Sequence, residues 1–375
     1  MRVLMTGGGT GGHVNPAIAI ANTIKEKEPD SVIAFVGTGR GIENKLVPKF
    51  GYDVYHVEIQ GLKRSLSLSN IKTLYLTVSS VFKAKKLVKE FKPDVVIGTG
   101  GYVCWPVVKA ASQLGIPTVL HESNAIPGVA VKMLEKCVDI VYTNFEATVE
   151  KLKYKHKAVR VGNPLINGFD SSEVDAQRIK EIKQGYRKLV LSYGGSMGAM
   201  RVNAEMLSLM KEFSSKNPNV LHIHATGAIE SETAQKKFKE MGLDKFKNIQ
   251  LVEYIYDMPQ KMAAADLVIC RAGAMTLSEL AMQKKPCILI PSPNVTDNHQ
   301  YKNAAELEKK GAAVVFEEKE LSEGVLSCAV GKLLGDDKKL LEMQNNISSF
   351  AVKNANELIY NGVRDLVEKK EKIKN

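Results

Sequence analysis

One rhythm constrains this chain more than any other feature. A short apolar run leads into a glycine-rich turn and then a helical segment, and the unit repeats along the length. Val3-Leu4-Met5 runs into Gly7-Gly8-Gly9-Thr10-Gly11-Gly12-His13. Asn15-Pro16 then reads as a helix start, Asn as cap and Pro at the first helical position. Val32–Val36 ends in Gly37-Thr38-Gly39, Val95–Ile97 in Gly98-Thr99-Gly100-Gly101-Tyr102, and Pro117–Leu120 in His121-Glu122-Ser123-Asn124. Strands that alternate with helices pair in parallel, because each crossover helix covers a sheet face. The pattern restarts at Lys188, where Leu189–Tyr193 enters Gly194-Gly195-Ser196-Met197-Gly198-Ala199 and a helix containing Asn203. Further strands are expected at 221–225, 250–252, 267–270 and 287–290. The reading is therefore two doubly wound α/β domains, residues 1–163 and 188–349. A linker over 164–187 begins after Gly162-Asn163, and a C-terminal helical segment covers 350–375. Ligands in such sheets bind beyond the carboxyl ends of the strands.

Charge narrows the partner. The 375 residues carry a formal net charge of +11, which calls for an acidic partner: nucleic acid, anionic lipid or a phosphorylated substrate. Residues 1–163 hold 22 Lys and Arg against 13 Asp and Glu, whereas residues 164–375 hold 30 against 28. Residues 59–92 alone hold eight basic groups and one acid. No recognition-helix or RNA-binding motif accompanies that stretch, and aromatics are only 6%, so nucleic acid is not expected. The five cysteines (104, 137, 270, 287 and 328) are scattered, with no Cys-x-x-Cys pair, and read as reduced thiols. Arg2–Gly7 is too short and glycine-rich for a signal peptide. No apolar run approaches the roughly 18–20 residues that span a bilayer.

The glycine loops carry the chemistry. Gly7, Gly9 and Gly12 satisfy G-x-G-x-x-G, but a nicotinamide or flavin enzyme also needs an acid at the end of the second strand to hold a ribose. That place holds Gly37-Thr38-Gly39, which argues against an oxidoreductase. No Walker loop occurs. What remains is physical: glycines let backbone approach an anion, and a helix N-terminus offers unpaired N–H groups and a positive dipole end. Three such loops (7–12, 98–101 and 194–198) point to phosphate-rich ligands.

These motifs, with Gly162-Asn163-Pro164, Arg271-Ala272-Gly273-Ala274-x-Thr276-x-Ser278-Glu279 and Asn298-His299-Gln300, resemble the MurG family in order from residue 1 to about 300. That family moves N-acetylglucosamine from UDP-N-acetylglucosamine to a lipid-linked muramyl-pentapeptide. The resemblance implies a GT-B fold, two Rossmann-like domains facing across a cleft, the C-terminal helix packing back on the first. It implies an inverting displacement without cofactor or metal at the cytoplasmic face of the bacterial membrane. The donor is expected on Ser196, on the backbone of Ile255, and on Ala274, Met275, Thr276, Leu277, Ser278, Glu279 and Gln300. Thr10, Gly11, Gly12 and Asn124 are expected to reach it from the first domain. Glu279 suits a ribose diol because a carboxylate accepts two hydrogen bonds. Gly100, Gly101 and Tyr102 are expected at the acceptor diphosphate. His13, which titrates near neutrality when free, is the first candidate for the base, and Glu122 the second. Two departures stand out. Ser123 replaces the usual Gln, and Leu165-Ile166-Asn167 lacks the arginine that many members carry there, so Arg201 or Arg271 is a candidate substitute. Three other readings stay open: a UDP-sugar transferase using another lipid such as diacylglycerol, a diverged paralogue of the family with a related donor or acceptor, and a non-catalytic nucleotide-sugar binding protein.

Residues 70–90 read as a helix with Ile71, Leu74, Tyr75, Val78, Val81 and Phe82 toward the core. Lys72, Leu76, Lys83, Lys86 and Leu87 fall on another face, and Lys63, Arg64, Leu66 and Leu68 precede it. Exposed lysines interleaved with leucines suit an anionic membrane surface. His222-x-His224 reads as a structural pair rather than a metal site.

Overall fold

The computed structural model describes residues 1–59, 69–166, 169, 175–195 and 197–374, with side chains described from residue 79 in the helix that begins at Ser69 and up to residue 373 in the last helix. The chain forms two compact units, Met1–Ile166 with Asn354–Asn375, and Asn167–Lys353.

In the first unit, strands β1 (Arg2–Gly7), β2 (Val32–Gly37), β3 (Asp53–His56), β4 (Val95–Gly100), β5 (Thr118–Glu122), β6 (Ile140–Thr143) and β7 (Ala158–Arg160) form one sheet. Its order is β3-β2-β1-β4-β5-β6-β7, with every pairing parallel. Helices α1 (Gly11–Lys27), α2 (Glu43–Leu46), α3 (Ser69–Phe91), α4 (Cys104–Gln113), α5 (Val129–Leu134) and α6 (Glu146–Lys151) connect the strands. The period-2 alternation of β1 sorts its side chains between two cores. Val3 and Met5 pack with Phe35, Ile97 and α1, whereas Leu4 packs with Val36, Val96 and Leu120 under α3 and α4. All six residues of β4 are buried, as expected of a strand covered on both faces.

The second unit repeats the plan. Strands β8 (Lys188–Tyr193), β9 (Val220–Ala225), β10 (Ile249–Val252), β11 (Leu267–Cys270), β12 (Cys287–Leu289) and β13 (Ala313–Val315) lie in the order β10-β9-β8-β11-β12-β13, again all parallel. Its helices are α7 (Ala176–Lys183), α8 (Met200–Glu212), α9 (Ser231–Glu240), α10 (Met258–Ala264), α11 (Ala274–Met282), α12 (His299–Glu308), α13 (Val325–Leu334) and α14 (Asp337–Ser348). The chain then returns to the first unit as α15 (Ala355–Lys374), which lies along α1 and buries Ile359, Tyr360, Val363 and Val367 in its core.

Three expectations are corrected. Helix α1 starts at Gly11, not at Asn15, with Thr10 in extended conformation as its cap residue. Gly9, at φ +85°, turns the chain straight from strand to helix, and Pro16 sits inside, costing only the bond to the Gly12 carbonyl. The segment from Ala176 is helix α7, which packs on α10 and so belongs to the second unit rather than to a free linker. In α3 the buried stripe is Ala84, Val88 and Phe91, with Val81 and Leu87 packed against it, while Phe82 is 68% exposed. Leu87 therefore faces the core and Phe82 faces solvent, because the stripe recurs at 81, 84, 88 and 91 and leaves residue 82 at its edge.

Candidate active site

Each sheet has one point where the strand order reverses, between β1 and β4 in the first unit and between β8 and β11 in the second. A crevice opens there because the helices after the two strands leave toward opposite faces. The glycine loops sit at these points.

In the first unit the loops after β1 and β4 lock together. The Gly8 N–H donates to Gly100 O at 3.3 Å, and a Cβ on Gly101 would lie 2.4 Å from Gly8 O. Gly100 and Gly101 have φ of +110° and +85°, conformations that only glycine adopts without strain. A Cβ on Gly100 would also lie 2.6 Å from His13 Nδ1. His13 is thus seated on the second loop. Its Nδ1 lies 3.1 Å from Thr99 O, and Thr99 Oγ1 donates back to His13 O at 2.7 Å. A carbonyl only accepts, so Nδ1 carries the proton and Nε2 is the basic nitrogen. Thr10, Gly11 and Gly12 form the turn before it, and Tyr102 is exposed beside Gly101.

Glu122 is buried at the end of β5. Its carboxylate accepts from Asn124 N (3.0 Å), Asn124 Nδ2 (3.1 Å) and Gly128 N (2.7 Å). Burial raises its pKa, against the lowering effect of those bonds and of the Lys132 charge. The arrangement braces loop 123–128 and holds the Asn124 amide. His121 Nε2 donates to Gly162 O at 2.9 Å, joining two of the sequence motifs, and burial takes its pKa down to about 4. Ser123 is buried with its hydroxyl toward His121.

One residue of this site is not signalled by any sequence motif. Glu43, fully buried, accepts from Gly9 N (3.0 Å), Thr38 N (2.8 Å) and Thr38 Oγ1 (3.0 Å). Burial alone raises its pKa, but those bonds outweigh it and the net shift is downward. A Cβ on Gly8 or Gly41 would collide with this carboxylate at 2.7 and 2.0 Å, and one on Gly37 with the Glu43 Cγ at 2.5 Å. The missing acid after the second strand is therefore present, supplied by α2 and spent on backbone rather than on a ribose. Its trace in the sequence is a single acid following glycines at 37, 39 and 41.

In the second unit, α11 begins at Ala274 behind Gly273, which offers no side-chain cap, so the first-turn N–H groups of Ala274, Met275 and Thr276 point at the strand ends. Leu277 is core, and Ser278 Oγ donates to Ala274 O at 3.2 Å. The Glu279 carboxylate, one turn on, accepts no hydrogen bond among the described residues, and burial pushes it up to about 7. Ile255 has a buried side chain, and its backbone makes no hydrogen bond among the described residues. Tyr254 and Tyr256 flank it, ring centroids 5.0 Å apart, the latter 90% exposed. Gln300 Oε1 accepts from Ser292 N at 2.9 Å, which turns its NH2 group outward from that bond. Ser196, the side chains of Lys72 and Leu76, and residues 63–68 lie outside the described residues.

Neither arginine offered as a substitute at position 166 is idle. Arg271 pairs with Glu318 and donates to Ile290 O and Pro291 O, and Arg201 pairs with Glu205 at 2.9 Å and donates to Leu321 O. Both bond within the second unit, Arg271 as an inward guanidinium whose donors are matched and Arg201 as a half-exposed one.

Known proteins bear on this geometry. Residues 3–143 match the glycosyltransferase family 28 N-terminal domain and residues 189–359 the family 28 C-terminal domain. The UDP-N-acetylglucosamine–N-acetylmuramyl-(pentapeptide) pyrophosphoryl-undecaprenol N-acetylglucosamine transferase of Acetivibrio thermocellus is 43% identical, over 99% of this chain and 99% of that protein. A Bacillus cereus protein of the same name, numbered 1, is 39% identical over 98% of this chain and 100% of its own length. The crystal structure of Acinetobacter baumannii MurG superposes with a TM-score of 0.77 at 26% identity, covering 97% of this chain and 99% of that one.

Proposed function

The chain belongs to the MurG family of glycosyltransferases, with a GT-B fold, and from that premise we propose that it transfers N-acetylglucosamine from UDP-N-acetylglucosamine to the undecaprenyl-diphosphate-linked muramyl-pentapeptide. The carrying observation is near-complete coverage, at 43% identity, by a protein bearing that name. The names of the relatives favour a muramyl acceptor over diacylglycerol.

The reaction is one inverting displacement. The acceptor's 4-hydroxyl attacks the anomeric carbon, the glycosidic bond to UDP breaks, and the hydroxyl proton goes to a base. His13 is that base in this reading: Thr99 O holds the proton on Nδ1, leaving Nε2 to take another. Gly100 borders it, and Gly100, Gly101 and Tyr102 receive the acceptor diphosphate in this reading. Glu122 is a positioning residue, since its carboxylate is tied to loop 123–128. The donor lies on the second unit. Glu279 takes the ribose diol, the Ile255 backbone takes the uracil edge, and the α8 and α11 N-termini face the diphosphate. Gln300 takes sugar hydroxyls. Ser196, Thr10, Gly11, Gly12 and Asn124 complete the expected donor set.

The lipid-linked acceptor calls for membrane contact. No helix among the described residues is long and apolar enough to cross a bilayer, so the contact in this reading is peripheral, at the cytoplasmic face. α3, α4 and α5 lie side by side, presenting Phe82, Lys86 and Lys89 from α3, and Lys132 and Met133 from α5. Lys83 pairs with Glu58 at 2.7 Å, an exposed pair that anionic lipid can replace. The corrected face predicts that Phe82→Glu with Lys86→Glu releases the protein from anionic vesicles. Undiminished sedimentation with vesicles would remove α3 from the contact.

The activity test is UDP release with and without a short-chain muramyl-pentapeptide diphosphate lipid, other UDP-sugars serving as controls. UDP is expected only when UDP-N-acetylglucosamine and the acceptor are both present. Binding without release in that mixture would favour a binding protein.

A further inference from the structure

Beneath the glycine loop of the second unit runs a chain of buried polar side chains that the reaction itself does not use. Ser214, Ser192, His222, His224, Asn203 and Thr226 are all at most 4% exposed. Their contacts run Ser214 Oγ to His222 Nδ1 (2.9 Å), His222 Nε2 to Ser192 Oγ (3.0 Å), Ser192 Oγ to His224 Nδ1 (2.8 Å), His224 Nε2 to Asn203 Oδ1 (3.0 Å), and Asn203 Nδ2 to Thr226 O (3.0 Å).

The far end sets the direction of the whole chain. A backbone carbonyl only accepts, so Asn203 must present its NH2 to Thr226 O and its oxygen to His224. His224 Nε2 then donates, and its Nδ1 in a neutral ring accepts the Ser192 hydroxyl proton at 2.8 Å, although the Ser192 carbonyl oxygen also lies 3.1 Å from that nitrogen. Ser192 is left to accept from His222 Nε2, and His222 Nδ1 accepts from Ser214. Each of the five contacts along the chain finds a donor matched to an acceptor with both rings in the Nε2–H form, and the approach of Ser192 O to His224 Nδ1 is the one left unmatched. Burial keeps both rings neutral, lowering His222 to about 3 and His224 to about 4.

What the chain holds is the start of α8. Asn203 is in the first turn of that helix, its N–H bonded to Ala199 O at 2.9 Å. Thr226 O, which takes the Asn203 amide, is also the atom that a Cβ on Gly198 would approach to 2.5 Å. A Cβ on Gly227 would lie 2.1 Å from Gly198 N. Gly198 is at φ +88° and Gly227 at +77°. Backbone touches backbone at this point, and a shift of α8 would open the contact.

We propose that Asn203 and His224 are positioning residues for the donor diphosphate, fixing the glycine loop and the N-terminal turn of α8 through this one-way hydrogen-bond chain. The proposal rests on the assignment of that loop to the donor. Helix N–H groups bind an anion only where they are aimed, so a small rotation of the first turn costs affinity for the diphosphate while the acceptor side is untouched.

The experiment measures UDP affinity by calorimetry, donor and acceptor KM, kcat and melting temperature for Asn203→Ala, His224→Ala, His224→Gln and Gly198→Ala. Loss of a buried amide partner predicts an increase in UDP Kd and donor KM of about tenfold for Asn203→Ala and His224→Ala, with acceptor KM unchanged. The amide nitrogen of Gln overlays Nε2 and keeps the bond to Asn203, so His224→Gln should recover most of the affinity. Long-range nitrogen-15 NMR of the unaltered protein should show two Nε2–H rings that do not titrate between pH 5 and 8. A lowered melting temperature with wild-type UDP affinity in both alanine variants would overturn the positioning role. So would an Nδ1–H tautomer at His224, which needs no variant to fold. If Gly198→Ala weakens UDP and the Asn203 and His224 variants do not, the positioning inference alone fails. If Gly198→Ala also binds UDP normally, the donor assignment of the loop fails with it.

Discussion

Two carboxylates show how little a residue's type decides about its work. Glu43 and Glu279 are both desolvated, yet their pKa values move in opposite directions, because Glu43 accepts two backbone N–H bonds and a hydroxyl while Glu279 accepts none among the described residues. For Glu43 the folded state favours the charged form. Its contribution to stability is present above the ordinary glutamate pKa and lost as the pH falls through the lowered value. Glu43→Gln keeps one acceptor oxygen and adds a donor facing N–H groups. It should loosen loop 7–12 and lower kcat/KM for the acceptor by about tenfold. Full acceptor turnover in that variant would make Glu43 irrelevant to the loop. For Glu279 the sign is reversed. Hydroxyl donors from a ribose favour the carboxylate, so UDP binding should release a proton and tighten as the pH rises through about 7. Calorimetry in two buffers of different ionisation enthalpy would detect the proton, and Glu279→Gln should bind more weakly with a flat pH profile. A flat profile in the unaltered protein would place the diol elsewhere. Glu279 was legible in the sequence through its motif. Glu43 was not, since its partners are backbone groups brought together only by the sheet.

At the scale of elements, α15 carries an instructive glycine. Gly362 lies inside the helix, where Ala is better by about 1 kcal/mol on propensity. A Cβ there would lie 1.9 Å from the Tyr142 hydroxyl of β6. The clash outweighs the propensity gain, since overpacking of this kind costs about 1–3 kcal/mol. Gly362→Ala should therefore lower the melting temperature, and Tyr142→Phe should recover part of the loss in the double variant. Additive effects would mean that the two do not touch. Periodicity identified nine of the described strands, not β3, β6, β7 and β13, and the existence of α3 and α15, because a repeat along the chain is a local property. It mistook the register of α3, since Phe82 and Leu87 border the stripe and only the surface of α4 decides which is covered. It also started α1 late. Asn-Pro is a strong local signal, but Gly9 at positive φ made an earlier turn possible.

The whole molecule is two units, the first of which is assembled from both ends of the chain. α15 buries Ile359, Tyr360, Val363 and Val367 there, each contributing about 1.5–3 kcal/mol. That is comparable with the whole stability of a domain, about 5–15 kcal/mol. Ending the chain after Lys353 should thus lower or abolish the melting transition of the first unit while the second keeps its own, and scanning calorimetry would separate them. A single unchanged transition would show that α15 is dispensable. By itself the sequence determined the architecture and the family, because strand–turn–helix periodicity and glycine spacing are written locally and recur in order. It also located the charge in one stretch and supplied the candidate residues on which the proposed site rests. Only the tertiary structure decided which groups were already spent. Glu122, Ser278, Arg201 and Arg271 hold their own surroundings, whereas the Glu279 carboxylate accepts no bond among the described residues. Hydrogen-bond partners are set by distance across the fold rather than along the chain, so the division between working and bracing residues appears only once the sheets are formed.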